Sequence, residues 1–565
     1  MASLVQNNVD VDVLIIGGGL AGCMAAIRAS ECGVSVLVAE KGNTMRSGCA
    51  ATGVDHCWTY IPEIHGPQLS VEDLVRHHTE FAGGFLNQDL ALYIVNNSFK
   101  RILDLERFGV PMRDEDGNFR LVKKIHPIAN FLHFAGRDLK VKLTQEVRRR
   151  PVAVLNRLMV TEVLVDDGMA CGAIGFDTRT GELYVFRARA IVLASGSMHR
   201  LYKNPTGMYF NTAFPGTLAG DGYAMAYRAG AQLINMEFTS HQTGPKNFQR
   251  CGRGSYTPGG RMVDAMGRPL GAADASRQAG TRFAMDRSAE NTGGFLQALQ
   301  QGRGPVYMDC TSASTQDIDY IKWALGNEGN CSFLTYLEEQ GIDLHRNRIE
   351  FAFYEARVQG GRSGVNIDVQ CESSVKRLFV AGDCIGGMIR SGSPGAFSLG
   401  YHAGEVAAEQ AKQLDDARLT GDVLAKVAER KALYERMLSR QTGANWQEAL
   451  LALQNLMDYY AGHHRSESML AAGLSHLRRL RQWVEDELRA DDAHELMRCL
   501  EVMNLLDNAE MVLVSARERK ESRFGLSHRR VDYPETDNEN WLKFLAVQKH
   551  NGQPLVSSLP IRHVL

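Results

Sequence analysis

The chain has 565 residues, enough for a large buried core divided among two or three domains, and its composition is that of an ordinary globular protein. Lys and Arg number 63 against 65 Asp and Glu, so no general basic footprint favours a nucleic acid or another polyanion. Eleven scattered cysteines without a CxxC pair encode neither a zinc site nor an iron–sulfur cluster and read as reduced thiols of a cytoplasmic protein. The start lacks the features of a signal peptide, and no window reaches about 18 apolar residues. No membrane-spanning segment is expected.

In chain order, Val11 to Ile16 is an apolar run of strand length, and Gly17, Gly19 and Gly22 form G-x-G-x-x-G. Leu20 and Ala21 open a helix whose small face is Ala25, Ala26 and Ala29, and Val34 to Val38 is a second strand leading to Glu40. Such glycines let backbone approach a pyrophosphate, which the helix N-terminus attracts, and an acid after the second strand accepts ribose hydroxyls. Small residues crowd the next loop, Ser47, Gly48, Cys49, Ala50, Thr52 and Gly53, and Asp55, His56, Trp58 and Tyr60 follow it. Here Asp55 is placed to orient His56 as a base, and the aromatic rings to stack a planar substrate.

Two later segments read as returns to the same nucleotide site. Ala190 to Leu193 is a strand running into Ala194, Ser195 and Gly196, and "RLFVAGDCIGGM" repeats that form with Gly382 and Asp383 at its turn. A simple NAD dehydrogenase needs no late acid-bearing strand, whereas an extended FAD does. The predicted fold is α/β: a Rossmann-like FAD-binding domain over 1–237 and 356–412, an inserted α+β capping domain over 238–355, a helical domain over 413–523 and a polar tail over 524–565. "EALLALQNLMDYYAG" and "MLAAGLSHLRRLRQWVEDEL" carry the helical periodicity.

Together with "GDGYAMAYRAGAQLINMEF", "GAFSLGYHAG" and the ending "ARERKESRFGLSHRRVDYPETDNENW", these segments resemble the flavoprotein subunits of the fumarate reductase and succinate dehydrogenase superfamily. "LERFGVPMRDEDG", "GRDLKVKL" and "VLNRLMVTEVLVDDGMACGAIGFDTRTGE" resemble the α subunit of adenylylsulfate reductase more than the respiratory enzymes. The resemblance implies FAD contacts from Gly17, Gly19, Leu20, Ala21, Gly22, Glu40, Lys41, the Ser47–Gly53 loop, Ala194 to Gly196, Asp221, Gly382, Asp383, Ser398 and Leu399. In many members the flavin loop reads R-S-H-T, its His joined covalently to the flavin. Here Arg46 and Ser47 are followed by Gly48, which implies noncovalent FAD.

The dicarboxylate enzymes' proton-donor arginine follows a segment matched here only by Gly259, Gly260, Asp264 and Gly267, with Arg268–Pro269 in place of Arg-Phe. That departure argues against fumarate or succinate chemistry. "TSHQTG" retains His241 and Thr243, and "EARVQGGRSG" replaces a family histidine by a neighbourhood of Glu355, Arg357 and Arg362. The candidate substrate groups are therefore Arg137, Arg261, Arg357 and Arg362, His56, His126, His133 and His241, and Glu355. Arginine forks bind carboxylate, sulfonate or phosphate, and imidazoles move protons near neutral pH. The expectation is an FAD-dependent oxidoreductase acting on a small polar, anionic or aromatic substrate. A separate ferredoxin-like iron–sulfur protein or other carrier exchanges the electrons in a homo- or hetero-oligomer. The alternatives are a sulfur-nucleotide enzyme, an oxygen-using oxidase or hydroxylase, and a noncatalytic flavin scaffold.

Overall fold

The computed structural model describes residues 4–123, 127–204, 206–210, 212, 214–248, 259–270, 288–357, 361–388, 391–415 and 418–565, with the backbone alone at 241–242, 288–293 and 354–357. Its largest sheet is built on the strand Gln6–Ile16, flanked in parallel by Val36–Glu40 and Leu183–Leu193. Val152–Asn156 extends one edge in parallel. On the other, Met169–Asp177 and Leu158–Asp166 are antiparallel, and Leu378–Val380 pairs in parallel with the last residues of Leu183–Leu193.

The first and third of these strands run longer than their apolar runs. In Gln6–Ile16 the amino-terminal half is partly exposed and only Val13 to Ile16 is fully buried, so pairing continues where the hydrophobic signal has stopped. Register decides the function of the sheet. Ile16 lies opposite both Ala39 and Leu193, and Leu193 opposite Val380, so four parallel strands end together and deliver Gly17, Glu40, Ala194 and Ala381 to one edge. Ligands bind at that carboxyl edge in open parallel sheets.

The helix Leu20–Glu31 presents Ala21, Gly22, Ala25, Ala26 and Ala29 to the interior. A Cβ on Gly22 would lie 1.9 Å from Gly17 O, and Cβ atoms on Gly400 and Gly404, in the helix Gly392–Lys412, would lie 2.5 Å from Ala21 O and 2.3 Å from Ala25 O. These last two glycines, four apart on one helical face, set the two helices in backbone contact.

The inserted unit has a four-stranded antiparallel sheet in the order Ser240–Pro245, Ile349–Arg357, Val306–Asp309, Arg261–Val263. Its own apolar cluster includes Phe295, Val306, Ile321, Leu325, Phe333 and Phe351. It meets the nucleotide domain at the end of the helix Thr315–Asn327, where Thr52 Oγ1 donates to Glu328 O at 2.8 Å.

Four helices follow: Gly421–Ser439, Trp446–Tyr460, Glu467–Glu487 and Ala493–Glu518. The last is seated directly on the nucleotide domain. Glu501 binds Lys41 (2.7 Å) and Arg200 (2.6 Å), Asn504 donates to Asp221 (2.8 Å), and Asp507 accepts from Arg228 (2.6 Å). Their three-residue spacing puts these groups on one face.

The polar tail expected from 524 is instead folded back into the protein. Phe544–His550 and Gln553–Leu559 form a hairpin that pairs with Leu233–Ile234, and Phe544 to Val547 are buried. Its turn is Asn551–Gly552, both at positive φ, the two-residue pair that a tight hairpin prefers. A run of four apolar residues suffices because the hairpin completes an existing sheet. No helix among the described residues is long and apolar enough to cross a membrane.

Gly404→Ala should lower stability in urea unfolding by about 2–3 kcal/mol, the usual cost of overpacking. Gly421→Ala, whose Cβ would meet nothing within 4 Å, should change it by less than ~1 kcal/mol. Glu501→Gln should cost about 3 kcal/mol by leaving buried cations unpaired. Burial alone would raise the Glu501 carboxyl, but Arg200, Lys41 and Arg498 hold it well below the usual range. Its contribution is therefore complete above the ordinary carboxylate pKa of about 4.3. The difference between variant and parent should close only as the pH falls below that value.

Candidate functional site

The strand ends open into one cleft of about 1140 Å³. Gly17, Gly19, Leu20 and Ala21 form part of its wall. Gly17 has φ +100° and a Cβ there would meet Ala194 O at 2.6 Å, whereas a Cβ on Gly19 would meet nothing within 4 Å. The turn is therefore closed behind and open in front. Glu40 lines the cleft but also fastens the turn, accepting from Gly18 N at 2.7 Å and Gly42 N at 2.6 Å. Lys41 Nζ donates to Thr217 O, Asp221 Oδ2 and Glu501 Oε1 at 2.7, 2.6 and 2.7 Å. Burial opposes its charge, yet Asp221 and Glu501 outweigh that and raise its pKa.

The small-residue loop lies against this turn. Ser47 Oγ donates to Gly18 O at 3.3 Å, Gly48 has φ +80° and a Cβ there would come within 3.4 Å of Gly19 Cα, and Cys49 Sγ is 3.5 Å from Asp383 Oδ2. Ser47, Gly48, Cys49, Ala50, Thr52 and Gly53 all line the cleft, as do Ala194, Ser195, Gly196, Asp221, Gly382 and Asp383. Gly22, Ser398 and Leu399 do not. Gly22 lies behind the turn against Gly17 O, and Ser398 and Leu399 are buried in their helix.

Beyond the loop, the strand Val54–Trp58 pairs with Phe131–Gly136, with a register shift between Val54 and His56. Neighbouring strand residues normally face opposite sides; a bulge re-aims them, and here the side chains of Asp55 and His56 meet. His56 Nδ1 is 2.5 Å from Asp55 Oδ1, and both residues line the cleft. The His56 ring stacks on His133 with centroids 5.7 Å apart, and Tyr320 Oη is 2.6 Å from His133 Nδ1. Burial pushes the Tyr320 phenol well above its ordinary pKa. Glu328 and Asn330, from the inserted unit, complete this part of the wall.

The other candidates lie elsewhere. Arg261, on a strand whose register places it opposite Asp309, pairs with that carboxylate at 3.5 Å and is not on the cleft wall. Arg268 is bound to Asp264 at 2.8 Å. The pairing of Ser240 with Arg357 and Thr243 with Phe353 puts His241, Glu355 and Arg357 on adjacent strands; their side chains, and all of His126, lie outside the described residues. Arg362 stacks over Phe524 at 3.9 Å, and burial lowers its guanidinium pKa to about 10. Arg137 is exposed, and its carbonyl accepts from Arg46.

Sequence reasoning missed Arg157, Glu328, Asn330, Met497 and Arg498, all on the cleft wall. They come from a strand connection, the inserted unit and the carboxyl-terminal helix, and no local motif marks them. Helix periodicity offers only a faint signal, the polar Arg498, Glu501 and Asn504 at three-residue spacing within an otherwise apolar helix.

Residues 12–399 match the FAD binding domain family and residues 451–564 the fumarate reductase flavoprotein C-terminal family. A fumarate reductase (CoM/CoB) subunit of Methanothermobacter marburgensis is 28% identical, over 96% of this chain and 97% of that protein. The fumarate reductase flavoprotein subunit of Haemophilus influenzae is 27% identical, over 99% and 95%. Among solved structures, adenylylsulfate reductase from Archaeoglobus fulgidus shares the fold with a TM-score of 0.86 at 23% identity, over 99% of this chain and 97% of that one. The chain thus uses FAD and belongs to the FAD-dependent oxidoreductases of the fumarate reductase and succinate dehydrogenase flavoprotein family.

Proposed function

We propose that this chain holds FAD noncovalently and uses it to exchange an electron pair with a small anionic or aromatic substrate, a separate iron–sulfur protein carrying the electrons. The observation that carries this reading is the Asp55–His56 pair on the wall of the cleft that also contains the dinucleotide turn. The residues present fit the cofactor. The turn is open at Gly19, and Asn330 Nδ2, buried on the cleft wall, has no hydrogen-bond partner among the described residues. Gly17, Gly19 and the N-terminus of the helix Leu20–Glu31 are placed for the pyrophosphate, Glu40 and Lys41 for the adenosine half, and Ser47 to Gly53 with Asp383 for the flavin.

When bound, FAD supplies hydride and single-electron chemistry. The protein supplies position and protons. Asp55 holds His56 through Nδ1 and so orients the imidazole that gives or takes the proton accompanying hydride transfer. Gly48 offers no side chain for a flavin link, and the neighbouring Cys49 thiol is engaged with Asp383. The relatives named above are subunits, and the scattered cysteines hold no cluster motif, so the onward carrier is another chain. The segment that precedes the family's proton-donor arginine is matched only in part, with Arg268–Pro269 in place of Arg-Phe, which favours a substrate other than fumarate.

Acid precipitation of the purified protein should release FAD into the supernatant; a yellow pellet would contradict the noncovalent reading. An anaerobic visible spectrum should be recorded with fumarate, succinate, sulfite, sulfite plus AMP, and carboxylated or aromatic compounds. Bleaching by an organic acid or aromatic compound without an AMP effect is expected, and reduction requiring sulfite plus AMP would transfer the assignment to sulfur-nucleotide chemistry. His56→Gln should lower kcat/KM for the active compound by roughly 10²–10³ while leaving FAD stoichiometric. Unchanged turnover in that variant would move the proton step to another residue.

A further inference from the structure

Lys140 lies in the first turn of the helix Leu139–Arg148 and is fully buried. Its ammonium donates to Thr44 O, to Thr144 Oγ1 at 3.1 Å and to Cys23 Sγ at 3.3 Å. A carbonyl, a hydroxyl and a thiol are all neutral, and no carboxylate stands within ion-pair distance of Lys140 among the described residues. Three equally buried cations elsewhere hold carboxylates, Arg200 with Glu501, Arg519 with Glu237 and Arg530 with Asp532, whereas Arg465 is likewise met by neutral groups. Glu40, the acid of this neighbourhood, gives its oxygens to Gly18 N and Gly42 N.

The position is unfavourable to a cation twice over. It is out of water without an opposite charge, and it stands at the positive end of its own helix. Yet the ammonium is fastened to the cofactor cradle. Cys23 Sγ, one of its acceptors, itself donates to Gly18 O at 3.3 Å, and Thr44, another, packs so closely that a Cβ on Gly18 would meet Thr44 Cγ2 at 2.4 Å. Lys140 is therefore directly behind the Gly17–Gly22 turn, whose front faces the cleft.

We infer that Lys140 is a buried counter-charge for the FAD pyrophosphate, kept free of carboxylates so that the cofactor supplies the balancing charge through the glycine turn. This deepens the assignment of the turn to FAD and is independent of substrate. Without FAD the charge is unbalanced, and loading the cofactor balances it, so an apolar replacement should have opposite effects on the empty and the loaded protein.

The test uses full-length protein stripped of FAD and titrated with FAD, ADP and adenosine. Lys140→Met should raise the Kd for FAD and for ADP about tenfold, the order expected for one charge acting across a turn at intermediate dielectric. Adenosine, which lacks phosphates, should bind both proteins equally, and the melting temperature of the empty variant should match or exceed that of the parent. Unchanged FAD and ADP affinity would overturn the proposal, as would an empty variant that melts far below the parent. Thr144→Val keeps the ammonium while removing one of its ties to the Thr44 loop. It should hold FAD within twofold of the parent, and a tenfold loss there would assign the effect to loop anchoring instead. Should Lys140→Met fail to fold, Lys140→Gln takes its place in the same titrations.

Discussion

Around the helix Leu20–Glu31 the chain brings backbone against backbone with no room for a side chain between. Gly17 meets Ala194, Gly22 meets Gly17, and Gly400 and Gly404 meet Ala21 and Ala25. Four strands ending in register supply the other half of the arrangement. The result is a strip of bare main chain at the carboxyl edge of the sheet, flanked by the start of a helix. Such a strip can approach a dinucleotide more closely than side chains permit, and every other part of the cleft is positioned from it.

Charge is distributed around this strip in two ways. On the side of Lys41, the groups Lys41, Asp221, Glu501, Arg200 and Arg498 neutralise one another, so their geometry is set whether or not a ligand is present. On the far side of the turn, Lys140 meets neutral atoms alone. The first arrangement stabilises the fold, and the second leaves a field directed into the cleft. Elsewhere on the wall, the register shift in Val54–Trp58 joins Asp55 to His56, so a carboxylate–imidazole pair stands in the same cleft as the glycine turn.

The nucleotide fold was legible in the sequence because its signals are local: apolar strands, glycines at fixed offsets and an acid at Glu40. The family resemblance extended that reading to FAD. Strand ends were less legible, since Asn7, Asn8 and Asp10 pair along the sheet while facing solvent and so break the apolar pattern. The hairpin at 544–559 escaped notice although Asn551–Gly552 marks its turn, because its buried run is four residues long. The cleft wall was only partly legible. Gly17 to Ala21 and Ser47 to Gly53 lie there, but Glu328, Asn330, Met497 and Arg498 reach it through tertiary packing alone. Arg261 shows the converse: its register opposite Asp309 gives it a partner within its own sheet, which residue type cannot reveal.

The seating of the helix Ala493–Glu518 on the nucleotide domain ties the integrity of the cleft to packing between distant parts of the chain. The cleft joins Gly17, near the start of the chain, to Met497 and Arg498, near its end. The cleft wall is therefore complete only when the helix Ala493–Glu518 has packed against the nucleotide domain, and a change that loosens that helix opens the cleft as well.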